Sequence, residues 1–266
     1  MLSKMTLGQY YPTDSPIHRL DPRSKLAWVL LYLIGLFVAK DWAAYGAAAV
    51  FAALAIVLSR VPVGYMLRGL RPILFILLLS VSFNIFLTPG EVLWSWRFLR
   101  VTREGLVMAA KMGLRLVLLV LGTSLLTFTT TPNALTDGLE SGLGFLKVIR
   151  VPVHEIAMMM TIALRFIPIL AEETGKIQRA QMARGADFES GNLISRAKAM
   201  VPLLVPLFVS AFRRAGDLAM AMESRCYHGG EGRTRFRVLK FSKDDVIASL
   251  VMALLLALII LEGIFL

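Results

Sequence analysis

Two arginines in matched surroundings offer the clearest chemistry in this chain. Ala180-Gln181-Met182-Ala183-Arg184-Gly185 and Ala221-Met222-Glu223-Ser224-Arg225-Cys226 share the pattern Ala-x-x-small-Arg-small. A guanidinium presents a planar fork of donors that can grip a carboxylate with two parallel hydrogen bonds. Each arginine closes a basic, helix-prone segment, where a cation is favourable against the helix dipole, and Gly185 suits a helix-ending position. Small neighbours keep such a tip slim enough to enter a groove. One arginine of this kind usually serves only to anchor a loop; the same pattern twice points to docking on two similar partners.

Other chemistry is excluded by what the spacings lack. Gly175-Lys176 is followed by Ile177, and Leu170 stands where a phosphate-cradling loop needs its first glycine, so the chain does not bind ATP there. No Gly-x-Ser-x-Gly elbow occurs. His18, His154 and His228 are scattered, and Met158 stands where a second zinc-binding histidine would follow His154-Glu155. The single cysteine, Cys226, leaves no internal disulfide. No catalytic residue, metal site or cofactor is expected.

The elements that must carry the arginines are membrane elements. The 266 residues are 57% hydrophobic and 18% charged, with a mean hydropathy of +0.69, too apolar for an ordinary soluble domain. The net charge of +11 is read as loop Lys and Arg held on the cytoplasmic side, not as a nucleic-acid footprint. The start carries Lys4, Arg19, Arg23 and Lys25 and lacks a signal-peptide core, so the first apolar run is expected to be retained. Asp21 as N-cap and Pro22 at the first helical position open a span over 26–39. Lys40-Asp41 turns the chain into a second span over 43–58, and a basic amphipathic piece over 61–70, flanked by Arg60, Arg68 and Arg71, leads to a third over 72–87. Thr88-Pro89-Gly90 is a turn, Trp94, Trp96 and Phe98 an interfacial belt, and 105–128 the fourth span. Arg97, Arg100 and Arg103 on that side weigh against a cytoplasmic N-terminus; the basic loops elsewhere weigh for it.

The chain then changes character. Residues 134–146 read as a glycine-interrupted amphipathic stretch, and 153–183 and 192–225 as long amphipathic units, the second with Pro202 and Pro206 in its middle and Arg213 and Asp217 spaced to pair. The apolar runs at 156–170 and 202–212 fall short of the roughly 20 residues a simple crossing needs, so helices at and below the cytoplasmic interface are expected. Met158, Met159, Met160, Met200 and Met220 suit an adaptable surface as well as ordinary filler. Arg233, Arg235, Arg237, Lys240 and Lys243 anchor the cytoplasmic side before a last span over 246–265. The expected organisation is an all-α polytopic membrane protein: a bundle of four spans in 1–128, coupling helices in 129–245 and a terminal transmembrane helix in 246–266.

With these residues in view, the chain resembles the transmembrane T component of energy-coupling factor (ECF) transporters, prokaryotic importers of vitamins and metal ions. The resemblance rests on Ser15-Pro16-Ile17-His18-Arg19-Leu20-Asp21-Pro22-Arg23-Ser24-Lys25-Leu26, on Ala183-Arg184-Gly185 and on Ser224-Arg225-Cys226. It implies a non-catalytic subunit of the plasma membrane whose two helix tips enter grooves of two ATPase subunits. Its helices would cradle a membrane-embedded, substrate-binding S component, and the methionines named above would contact it. The family's second tripeptide is commonly Ala-Arg-Gly; with the small residues Ser224 and Cys226 in its place, docking is expected to survive, with a helix end at Cys226 shaped differently from that at Gly185.

Two other readings follow from the residues. Lys111 and Arg115, one turn apart in the fourth span, would bind an anion near the middle of the bilayer in a self-contained carrier or channel. The alternative for this pair is that Lys111 snorkels while Arg115 bonds a neighbouring helix or Asn84. The Arg233–Lys243 cluster would suit a nucleic-acid or lipid-binding anchor, in which no ATPase partner is needed.

Overall fold

The computed structural model describes residues 10–96, 99–188, 190, 192–230 and 239–265. Lys4, Arg97, Phe98, Arg233, Arg235 and Arg237 lie outside the described residues. The chain divides into two compact units, one within Gly8–Gly142 and Arg237–Leu266, the other within Leu143–Phe236.

The first unit is a helical bundle. The short helix α1 (Pro16–Arg19) leads to α2 (Pro22–Val38), which begins as its sequence requires: Pro22 occupies the first turn and the Asp21 carboxylate accepts from the Arg23 N–H at 2.9 Å. α3 (Trp42–Ser59) returns and stops at Arg60, in the left-handed region at φ 56°. α4 (Val63–Arg68) continues through a 3₁₀ turn into α5 (Leu74–Leu87). A two-stranded antiparallel hairpin, β1 (Val92–Trp96) with β2 (Leu99–Thr102), then delivers the chain to α6 (Arg103–Thr129), followed by α7 (Pro132–Gly142) and, at the far end of the sequence, α10 (Lys243–Phe265). The hairpin is a departure from the expected plain turn; Trp94 stands exposed on it.

Small residues let the helices meet. Ala44, Ala48 and Ala52 form a stripe on α3 that is buried with Tyr32 and Leu36 of α2, Leu118 of α6 and Met252, Leu255 and Ile259 of α10. Gly122 packs so closely on Tyr32 that a Cβ there would stand 2.7 Å from the ring. The outward faces are the reverse of a soluble protein's: Val57, Phe75, Leu87, Leu250 and Leu254 are all exposed. Among the described residues, six helices are long and apolar enough to cross a membrane, counting α4 and α5 as one. This is an all-α multi-pass membrane protein.

The second unit is built on α8 (Val153–Ala183) and α9 (Leu193–Glu223), each 31 residues long. The apolar runs at 156–170 and 202–212 are shorter than the roughly 20 residues of a simple crossing, but they do not end the helices: α8 continues through Arg165 and Pro168, and α9 through Pro202 and Pro206, and each whole helix is long and apolar enough to cross by length and composition. Proline inside an apolar helix bends it without ending it, because neighbouring groups take up the freed carbonyl.

The two helices run antiparallel. Gln181 Nε2 donates to the Pro202 carbonyl at 3.3 Å, Glu173 meets Arg214, and Ile162, Phe166 and Leu170 face Ala211, Ala215, Leu218 and Met222. The expected Arg213–Asp217 pair gives way to this Arg214–Glu173 contact between the helices.

Candidate docking site

The two arginine tips are one structure made twice. At the end of α8, the N–H groups of Arg184, Gly185 and Ala186 donate to the carbonyls of Gln181, Met182 and Gln181, at 3.0 Å each. At the end of α9, Arg225, Cys226 and Tyr227 donate to Met222, Glu223 and Met222 at 3.2, 2.9 and 3.1 Å. Both are Schellman closures, in which the residue after the arginine turns left-handed and the next N–H reaches back five residues. Gly185 does so at φ 90° and Cys226 at φ 54°. The suspicion that Cys226 would reshape the second tip is therefore overturned: hydrogen bonding imposes the same turn on both, and the cysteine bears the steric cost of φ above zero.

All six tip residues, Ala183, Arg184, Gly185, Ser224, Arg225 and Cys226, are exposed. Among the described residues neither guanidinium makes a hydrogen bond or an ion pair, so both forks are open to a carboxylate. The Ser224 hydroxyl bonds back to the Ala221 carbonyl at 3.1 Å, leaving Arg225 as the projecting polar group.

The antiparallel pairing keeps the tips apart. Arg184 ends α8 beside the Pro202 region of α9, whereas Arg225 lies past Met222, beside Ile162 of α8. At about 1.5 Å rise per residue, roughly 30 Å of α9 separates those levels. Two tips at opposite ends of a helix pair can engage two bodies at once; one shared ligand cannot bridge them.

The methionines divide likewise. Met159, Met160, Met200 and Met220 are exposed and Met158 is half-buried. Met158, Met159, Met160 and Met220 fall at one end of the pair and Met200 at the other.

Comparison with known proteins places this architecture. Residues 13–236 match the family described as cobalt transport protein, CbiQ. The energy-coupling factor transporter transmembrane protein EcfT of Acidaminococcus fermentans is 55% identical over 259 residues, covering 97% of both chains. That of Clostridium kluyveri is 54% identical over 267 aligned residues, covering all of this chain and 99% of the relative, and that of Bacillus subtilis is 48% identical over 254 residues, covering 94% and 96%.

The chain belongs to the EcfT/CbiQ family.

A transmembrane component of an ECF transporter is thereby assigned, not a catalytic subunit, and the remaining charged residues fit that assignment. Lys111 and Arg115 do not lie near the middle of the bundle, as the carrier reading supposed. Lys111 Nζ donates to the Lys40 carbonyl at 2.6 Å and Arg115 Nη2 to the Ala39 carbonyl at 3.1 Å, which places both at the turn between α2 and α3. Arg115 also faces the rings of Tyr45 and Phe37, and Lys111 that of Trp42. Both cations thus serve the carbonyl end of α2, where the dipole favours positive charge. Asn84 turns instead to the Ser80 carbonyl of its own helix.

The family's N-terminal stretch forms a buried knot at the opposite end of the bundle. Asp245 is buried and accepts from the Asp21 N–H and the Ser242 N–H, both at 2.8 Å, so one carboxylate closes the starts of α2 and α10. Buried Lys25 donates to the carbonyls of Thr129 at 2.9 Å and His18 at 3.3 Å, tying in the end of α6. His18 Nε2 contacts the Tyr11 carbonyl, which can only accept, so that nitrogen carries the proton and Nδ1 accepts from the Ser15 hydroxyl at 2.7 Å. Burial holds the His18 pKa below its ordinary value. On the surface, Arg19 grips Asp14 with bonds of 2.9 and 2.7 Å and lowers its pKa.

Proposed function

We propose that this chain is the coupling subunit of an ECF importer of the prokaryotic plasma membrane, with its N-terminus and both arginine tips in the cytoplasm and with α8 and α9 lying along the cytoplasmic face, because tips at opposite ends of one helix pair share a compartment only if the pair does not cross the membrane. Arg184 and Arg225 each enter a groove of one ATPase subunit and bind a carboxylate there. ATP-driven opening and closing of the ATPase pair moves α8 and α9, which carry a substrate-binding S component contacted by Met158, Met159, Met160, Met200 and Met220. The cargo is a vitamin or a metal ion chosen by the S component. The observation that carries this reading is the pair of equivalent, exposed Schellman tips with open guanidiniums at opposite ends of one helix pair.

Uptake in cells expressing the whole importer tests it. Arg184→Glu combined with Arg225→Glu is expected to abolish ATP-driven uptake, while Lys111→Gln with Arg115→Gln leaves it largely intact in protein that still folds. The opposite pattern would favour a self-contained carrier.

A further inference from the structure

The seam between α8 and α9 holds a device that docking alone does not require. Ile162, Phe166 and Leu170 line one side; Ala211, Ala215 and Ala219 line the other, with Leu218 and Met222. Between these large and small side chains an open groove of about 250 Å³ remains. Well-filled interiors resist relative movement because their side chains interdigitate. A seam with an unfilled groove opposes it less.

One turn beyond Leu170, a charged contact interrupts this seam. Arg214 Nη2 stands 3.4 Å from Glu173 Oε2, with the two side chains 38% and 27% exposed. That distance is long for a charge-assisted bond, which normally closes to about 2.7–2.9 Å, and only one donor of the fork is used. Arg214 Nε is buried without a partner. The pair is neither a tight bidentate bridge nor fully solvated, so small changes in helix spacing would tighten or release it.

Its place in the helices matters as much. Pro168 lies five residues before Glu173 in α8, and Pro206 eight residues before Arg214 in α9. Prolines create the local bends of long helices. The pair therefore links the two helix segments that follow these prolines, one running on to the Arg184 tip and the other to the Arg225 tip.

Resting on the proposed coupling role, we infer that Glu173 and Arg214 form an adjustable cross-brace that fixes the relative position of the two tips and so couples ATPase movement to transport. They are positioning residues that touch neither nucleotide nor substrate. Removing either charge leaves docking in place but loosens the connection between tips.

The test uses Glu173→Gln, Arg214→Gln and the exchange Glu173→Arg with Arg214→Glu. In the reconstituted importer each single variant is expected to retain its ATPases and to transport roughly 2- to 30-fold less substrate per ATP hydrolysed, the span of a typical coupling contact. The exchange is expected to recover most of that ratio. An independent readout needs no ATPase: spin labels on Cys226, the exposed native cysteine, and on an Ala183→Cys variant report the distance between tips in the full chain in nanodiscs. Native protein should give one narrow distribution, the single variants a broader or shifted one, and the exchange a narrow one again. Unchanged distributions in both single variants, or an exchange as broad as they are, would overturn the brace. Failure of native protein to bind ATPases with the distance effect intact would instead overturn the docking reading.

Discussion

The buried knot at the start of the bundle and the exposed tips of the long helices use the same residue types to opposite ends. In the knot, Lys25, Asp21 and Asp245 lie out of solvent and are committed to backbone groups of α2, α6 and α10. At the tips, Arg184 and Arg225 are exposed, and among the described residues their guanidiniums hold nothing. A charge taken out of water must be compensated inside the fold or the fold fails, whereas a charge left in water costs the fold little and remains available to a partner. Position in the fold, more than residue type, separates architecture from docking, and the consequences of substitution should separate in the same way.

Asp245→Ala should mark the structural extreme. It removes the acceptor shared by two helix starts and is expected to cost on the order of 3 kcal/mol, read as a large loss of thermal stability of the purified chain in detergent. Arg184→Ala or Arg225→Ala should mark the other extreme, with stability unchanged within about 0.5 kcal/mol. Each should weaken ATPase binding by roughly 10- to 100-fold, the size of a lost charge-assisted bond of about 1.5–3 kcal/mol, measurable by titration with the purified ATPase pair. A tip variant that melts early, or an Asp245→Ala chain as stable as native, would break the distinction.

Substitutions within the tips sharpen it. Gly185→Ala places a side chain at φ 90°, where nothing lies within 4 Å of the new Cβ, so the cost is backbone strain alone, about 1–2 kcal/mol local to the helix end. Cys226→Gly relieves that strain at the second tip and should gain about 1 kcal/mol. Hydrogen exchange of the Ala186 and Tyr227 amides, which close the two turns, would report both changes.

The smallest effect is in the knot and depends on pH. The folded-state pKa of His18 lies below the ordinary 6.5, so as pH falls through 6.5 the unfolded chain takes up a proton that the folded chain resists. Stability is full above 6.5, declines as pH falls toward the depressed value and levels off below it. A His18→Gln variant should show a flatter stability profile between pH 7.5 and 5.5 than the native chain.

Much of this was legible in the sequence because it depended on local rules. Asp21-Pro22 announces a capped helix start, and Gly185 announces a left-handed helix end. The equivalence of Cys226 to Gly185 was not legible: cysteine has no preference for that conformation, and only the hydrogen bonds from Cys226 and Tyr227 reveal it. Asp245 binds the Asp21 N–H across 224 positions of sequence, and no local pattern records such a partner. Lys111 and Arg115 were visible as anomalies, yet their acceptors are backbone carbonyls, which every residue possesses. The bounds of α8 and α9 were legible, but their apolar extent was understated, because Arg165, Pro168, Pro202 and Pro206 divide the apolar runs without dividing the helices. The Glu173–Arg214 contact was missed for a related reason: Arg213 has a local partner at helical spacing, and only the packing of α8 on α9 selects Arg214.

Binding of the purified ECF ATPase pair to the full chain in nanodiscs, with and without the combined Arg184→Glu and Arg225→Glu substitutions, addresses the central claim most directly. The account predicts stable capture by native protein and at least a roughly 100-fold loss in the double variant, with its thermal stability unchanged. Equal capture by the two proteins would contradict it.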